Sequence, residues 1–207
     1  MHLPDGFVPV GLALAGYAGS GALTALALAR LRRLPDPRAE VPRAAMLTTV
    51  FFAASALAIP VPPTTVHLML AGLMGVLLGW FAMPAILVGL FLQAVLFGHG
   101  GLTTLGLNGL VFGLPAVLAM AVWRGIGRRW PDLGALVAGG GAVLLALALF
   151  AGIVLAGMPA ALDAGVERAA LGVFVLAHLP LVLAEGLIVL VLVRVLRRIE
   201  PGLLRHG

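Results

Sequence analysis

Of the 207 residues, 62% are hydrophobic and only 10% are Asp, Glu, Lys or Arg. A soluble domain of that length cannot bury so much apolar surface, so the composition predicts a polytopic protein in the lipid bilayer. Cysteine is absent, which excludes disulfides, thiolate metal sites and cysteine nucleophiles. The net charge of +5 contains no lysine contribution. In a membrane protein such a charge reports topology, and no nucleic-acid partner is expected.

The chain opens with Met1-His2-Leu3-Pro4-Asp5-Gly6-Phe7. A free α-amine, the next amide nitrogen and His2 Nδ1 close adjoining five- and six-membered chelate rings, placing three nitrogens in one plane around Ni(II) or Cu(II). This requires that Met1 keep a free amine, which the bulk of His2 at the second position favours. Pro4-Asp5-Gly6 is a turn signal, and the apolar run starts at Phe7, so the opening residues sit against a membrane helix. With no basic n-region and no small-residue cleavage site, the start does not read as a signal peptide.

About twenty apolar residues span a bilayer core, and on that ruler seven spans are expected in one transmembrane domain covering 1–207. Residues 1–6 form a metal-binding segment, and the first span covers about 7–29. Pro35, Pro37 and Pro42 then interrupt helix in the Arg-rich loop. The second span covers 44–59 and ends at Pro60-Val61-Pro62-Pro63. The third covers 65–81, with Thr64 or Thr65 as N-cap. Met83-Pro84 breaks the chain before the fourth, 84–97. Gly98-His99-Gly100-Gly101 is a loop, and the last three spans cover 104–123, 133–156 and 169–195. Twelve of the thirteen arginines then fall on one side, with only Arg168 on the other. The positive-inside rule places the N-terminus outside and the C-terminus in the cytoplasm.

Met1-His2, the approach to His67, the His99 loop and the start of the last span then share the outer face. His67, one turn into the third span, is an ionisable group where one is costly, and it is the expected fourth nitrogen. His99 reads equally as a residue of a loop folding over the site or as an exposed loop histidine. Asn108 and Gln93 are expected to hydrogen-bond between helices, with a supporting role behind a ligand imidazole open to either. His178 and Glu185, seven apart, share a helix face. They read as a structural polar clamp in preference to a proton relay or an intramembrane catalytic pair. A zinc hydrolase would want a His-Glu-x-x-His pair, which the sequence lacks. In the first span, Ala15/Gly19, Gly16/Ser20 and Ala18/Ala22 offer close helix contact.

These residues resemble the CbiM/NikM family, substrate-binding membrane subunits of cobalt and nickel energy-coupling-factor ABC transporters. The likeness runs from the opening seven residues through Val66-His67-Leu68, Phe97-Gly98-His99-Gly100-Gly101-Leu102-Thr103 with Gly106 and Asn108, to His178 and Glu185-Gly186. The resemblance implies an all-α bundle of seven transmembrane helices in a prokaryotic inner membrane. It also implies a Ni(II) or Co(II) substrate held by the Met1 amine, the His2 amide and imidazole, and His67. Pro4-Asp5 looks more like the nickel-type members. The implied partners are a coupling membrane subunit, paired cytoplasmic ATPase subunits and a small auxiliary membrane subunit. ATP hydrolysis belongs to those partners, since the chain has no nucleotide-binding glycine loop with lysine. Asp5, His99, Asn108, His178 and Glu185 are expected in supporting or gating roles. One departure is that Gly109-Leu110-Val111-Phe112 follows Asn108, where the family often has a second asparagine. A hydrogen bond to the N-terminal segment is then lost or supplied by another residue.

Overall fold

The computed structural model describes residues 1–57, 59–61, 64–157 and 164–204. Among them are seven α-helices: α1 (Val10–Leu31), α2 (Val41–Ala56), α3 (Ala71–Leu78), α4 (Ala82–Phe97), α5 (Leu105–Val122), α6 (Pro131–Gly157) and α7 (Ala164–Ile199). A short antiparallel pair, β1 (Ile59–Val61) and β2 (Thr64–Val66), sits between α2 and α3, with Pro60 opposite Thr65. Five stretches are long and apolar enough to cross a membrane: Val10–Leu31, Ala71–Phe97, Leu105–Gly127, Pro131–Gly157 and Arg168–Ile199. The protein is a multi-pass membrane protein.

The stretch Ala71–Phe97 is not a straight rod. At 1.5 Å per residue its 27 residues would extend roughly 40 Å, yet the rings of His67 and His99, just beyond its two ends, have centroids 5.3 Å apart. The chain therefore descends along α3 and returns along α4. It turns at Gly79, whose φ of 57° and ψ of −125° disfavour any residue with a Cβ. Trp80, next in the turn, lies under the Arg30 guanidinium. Arg43 donates to the carbonyls of Leu77 and Leu203, and Trp123 Nε1 to that of Leu204 at 3.2 Å. The arginine-bearing ends of α1 and α2, the Gly79 turn and the chain's C-terminal segment thus meet at one end of the bundle. His67 and His99 lie at the other end of α3 and α4.

All eight residues of α3 are buried, as expected of a helix apolar all round. Gly75 makes this centre possible, because a Cβ there would stand 2.0 Å from the Ala116 carbonyl oxygen. Outside α3, large apolar side chains such as Leu14, Phe91, Leu144 and Leu183 are exposed and form the lipid-facing surface. Of the small-residue pairs in α1, Gly16 and Ser20 are buried, against Leu107 and Gly109 of α5. Ala15 and Ala18 are exposed.

Several expected boundaries are corrected. The third helix starts at Ala71 and not at residue 65, because residues 64–66 pair as a strand, and its N-cap position is Leu70. His67 consequently precedes its helix and lies in the connection from β2. The break falls at Gly79 and not at Met83-Pro84; Pro84 is accommodated in the first turn of α4, where a missing N–H costs no helical bond. The second helix covers 41–56, and its 16 residues reach about 24 Å, short of a bilayer core. The first helix starts at Val10, and the last extends from Ala164 through Pro180. Pro62, Pro63 and Arg205 lie outside the described residues.

Candidate metal centre

The N-terminal segment is drawn into the bundle by polar groups of α5 and the loop before it. Asn108, near the start of α5, accepts from the Leu3 N–H at 2.9 Å through Oδ1 and donates to the Leu3 carbonyl at 3.0 Å through Nδ2. It pairs with that peptide as a neighbouring strand would. Thr104 Oγ1 donates to the same carbonyl at 2.6 Å. Asp5 accepts from the backbone N–H of Leu102 at 3.2 Å and of Thr103 at 2.7 Å, and from the Thr103 hydroxyl. These bonds hold the exposed Asp5 carboxyl below the usual range, the Thr103 hydroxyl contributing most. Gly101 has no side chain to interfere, since a Cβ there would lie 2.3 Å from an Asp5 oxygen. Leu3 is fully buried and Met1 is 5% exposed.

So anchored, the segment delivers its nitrogens to two histidines. The Met1 α-nitrogen lies 3.2 Å from His67 Nε2, and His2 Nδ1 lies 2.9 Å from His99 Nε2. Ring centroids of His2 stand 5.0 Å from His67 and 4.2 Å from His99. One ligand atom from each of His2, His67 and His99 lies within 4.8 Å of the others, a spacing one metal ion can bridge. Phe112 closes the side of the His2 ring, 4.8 Å between centroids. Burial lowers the amine from 8.0 to about 5, so it is neutral at pH 7 with its lone pair available. Burial likewise pushes the His2 and His99 imidazoles below their usual value. Neutral amine and imidazole nitrogens need lose no proton before a cation arrives.

His67 is carried by a locally unusual backbone. Leu70 adopts φ 49°, the one left-handed residue other than glycine among those described. The backbone N–H groups of Met69 and Leu70 both bond Glu185 Oε1 of α7, the latter at 2.9 Å. A fully buried carboxylate thus fixes the turn that presents His67. His178, also fully buried, bonds the Phe174 carbonyl through Nδ1 at 2.8 Å. Among the described residues His178 and Glu185 make no bond to one another: Glu185 holds the turn before α3, and His178 bonds a carbonyl of its own helix. Thr103 and Thr104 were not expected in this network, and a hydroxyl pair after a glycine loop carries little sequence signal.

The model of the cobalt uptake substrate-specific transmembrane region, CbiM, matches residues 2–203. The chain belongs to the CbiM family. It is 33% identical over 212 residues to the cobalt transport protein CbiM 2 of Pelobacter propionicus, covering 96% of this chain and 91% of that one. It is also 32% identical over 170 residues to the fused nickel transport protein NikMN of Rhodobacter capsulatus, covering 81% of this chain and 48% of that one. A crystal structure described as a transition metal transporter superposes with a TM-score of 0.80 at 25% identity, over 97% of this chain and 94% of that one. The chain spans about half the length of several curated relatives that it matches, the Rhodobacter protein among them.

Asn108 offers a first test of this arrangement. Asn108→Leu leaves the buried Leu3 N–H without a partner, and the expected loss of stability is about 1–3 kcal/mol. Thr104 still serves the carbonyl, so the loss should stay within that range. Denaturant unfolding of the purified protein in detergent measures it, and an unchanged midpoint contradicts the anchoring role.

Proposed function

We propose that this chain is the substrate-specific membrane component of an energy-coupling-factor importer for Ni(II) or Co(II), with nickel preferred. The observation that carries the proposal is the approach of the Met1 α-nitrogen to His67 Nε2 beside His2 Nδ1. The Met1 amine, the His2 amide nitrogen, His2 Nδ1 and His67 Nε2 form the square plane. His99 stands beside it on the glycine loop. An all-nitrogen square-planar set suits d⁸ nickel and disfavours tetrahedral zinc.

The seven helices form one bundle in the bilayer, with α3 and α4 as the two legs of the Gly79 hairpin. The metal end faces the exterior, and the arginine-bearing end faces the cytoplasm of a prokaryotic cell. There the chain meets a coupling membrane subunit and paired ATPase subunits, with a small auxiliary membrane subunit completing the complex. The chain is a receptor and not an enzyme.

Metal analysis of the purified subunit carrying a native N-terminus tests this directly. Nickel or cobalt at one ion per chain is the expected result; zinc, or no metal, contradicts it. The pH dependence is more specific. A neutral amine and neutral imidazoles surrender no proton at pH 7, so only the His2 amide releases one on binding. Affinity should rise about tenfold per pH unit between about pH 6 and 8. Below that range the dependence steepens as the amine takes up its proton near 5. Calorimetry in buffers of different ionisation enthalpy counts these protons. A release near zero excludes the amide as ligand, and two or more at pH 7 excludes the buried neutral amine.

A further inference from the structure

Two adjoining cavities of different chemistry lie at the arginine-bearing end of the bundle. The larger, about 450 Å³, is a groove bounded by Leu28 and Leu31 of α1, by Ala45 and Thr49 of α2, and along α4 from Phe81 to Leu92. Phe81 and Leu92 are eleven positions apart, so the groove runs about 16 Å along the helix axis. That is half of a hydrocarbon core of about 30 Å, the depth of one leaflet. The lining is apolar, and its hydroxyls are spent inside α2. Thr48 Oγ1 donates to the Ala44 carbonyl at 2.8 Å, and Thr49 Oγ1 to that of Ala45 at 3.0 Å. A surface of this kind and length takes an alkyl chain.

The smaller cavity, about 160 Å³, shares Leu31 and Phe81 with the groove. Arg30, in the last turn of α1, and Arg124, in the helical turn after α5, both line it. The Arg30 guanidinium lies over the Trp80 ring, 5.5 Å from its centroid. Glu40 is the one carboxylate of the lining, and Arg43 engages it at 3.3 Å. The cavity therefore carries an excess of positive charge, in guanidinium groups that match a phosphate. Arg32, Arg33 and Arg128, exposed at the same end, add to that field.

We propose that the two cavities together bind an anionic phospholipid, with one acyl chain in the groove along α4 and the phosphate between Arg30 and Arg124. Basic pockets between transmembrane helices hold anionic head groups in this way. A free phosphate ester would leave the groove unfilled, and a neutral lipid would leave the arginine charge unanswered. The lipid fastens α2, too short to cross the core, to α1 and to the turn at Gly79. The site lies at the opposite end of α3 and α4 from the metal centre and does not rest on the metal reading. In the orientation proposed above, the lipid belongs to the cytoplasmic leaflet.

The test offers the full chain, purified in neutral detergent, equal amounts of phosphatidylglycerol and phosphatidylcholine with identical acyl chains. Native mass spectrometry reads which lipid is retained. At about a factor of five for each arginine, the wild-type chain should keep phosphatidylglycerol about 25-fold better. Arg30→Gln combined with Arg124→Gln should erase that preference. Val88 is an exposed residue of the groove, so Val88→Trp fills the groove and leaves both arginines and the core in place. The preference should be lost there too. Glycerol phosphate, which has the phosphate and no chain, should not displace the lipid. Equal retention of the two lipids by the wild-type chain, or a preference that survives either set of substitutions, overturns the proposal. Displacement by glycerol phosphate makes this a site for free phosphate esters and overturns it as well. So does loss of the lipid when the chain is purified with its membrane partners, which assigns the groove to a partner helix.

Discussion

Burying the Met1 amine in the peptide bond of a long, uncleaved N-terminal tag is expected to abolish nickel binding and nickel uptake together. The amine contributes its lone pair to the proposed plane, and an amide nitrogen in its place has none until it loses a proton. Sterics act in the same direction. Met1 is 5% exposed and its nitrogen already lies against His67, so an uncleaved N-terminal tag must push the segment out of its seat. The Leu3 peptide, held by Asn108 and Thr104, cannot yield without breaking those bonds.

A single glycine inserted between Met1 and His2 separates the two contributions. The insertion adds a second amide nitrogen between amine and imidazole. Amine, two amides and His2 Nδ1 can then fill the plane alone, releasing His67. Nickel binding is retained or altered, but the ion no longer ties the N-terminal segment to the turn before α3, and uptake should be lost. The measurements are nickel uptake by cells carrying each variant with its coupling partners, and the metal content of each purified subunit. Wild-type transport by the tagged, uncleaved protein would show that the ion is carried at a different site.

What the sequence made legible follows the strength of the physical signal. Bilayer-length apolar runs mark α1, α5, α6 and α7 to within a few residues, because hydropathy over twenty positions outweighs any local preference. The region between α2 and α4 was misread for the same reason. Thr64, Thr65 and Val66 are all β-branched and suit a strand, while the two threonines also suit a helix start. Pairing with Ile59–Val61 decides for the strand, and pairing is not visible in a single segment. Pro84 is a strong breaker in sequence but harmless in a first helical turn, whereas Gly79 breaks the chain through a φ that only the folded hairpin requires.

The histidines show the same division. His2 was legible because its distance from the α-nitrogen fixes a chelate locally. The approach of His67 and His99 follows from the return of α4 beside α3, a tertiary event with no local signature. Glu185, expected to act together with His178 on one face of the last helix, is fully buried. Its partners are the backbone N–H groups of Met69 and Leu70 and not His178, and no spacing rule points from α7 to a backbone more than a hundred residues away.

The second large effect is expected at His67. In the proposed site His67→Ala removes one in-plane nitrogen and leaves water or nothing in its place. The residue is 4% exposed, so the vacated space is poorly hydrated and a strong replacement ligand is not at hand. Nickel affinity should fall well over tenfold, about 1.4 kcal/mol or more. His99→Ala should cost less, and the geometry says why. His99 is half-buried on the glycine loop, and its Nε2 lies 2.9 Å from the His2 Nδ1 that the proposed site gives to the metal. Removing it deletes a hydrogen bond that metal binding itself would break, so part of the lost contact returns as an easier entry for the ion. Titration of both variants with nickel under identical conditions compares them. Equal losses, or a larger one at His99, would make the loop histidine the fourth ligand and leave His67 to hold the Met1 amine through their 3.2 Å contact.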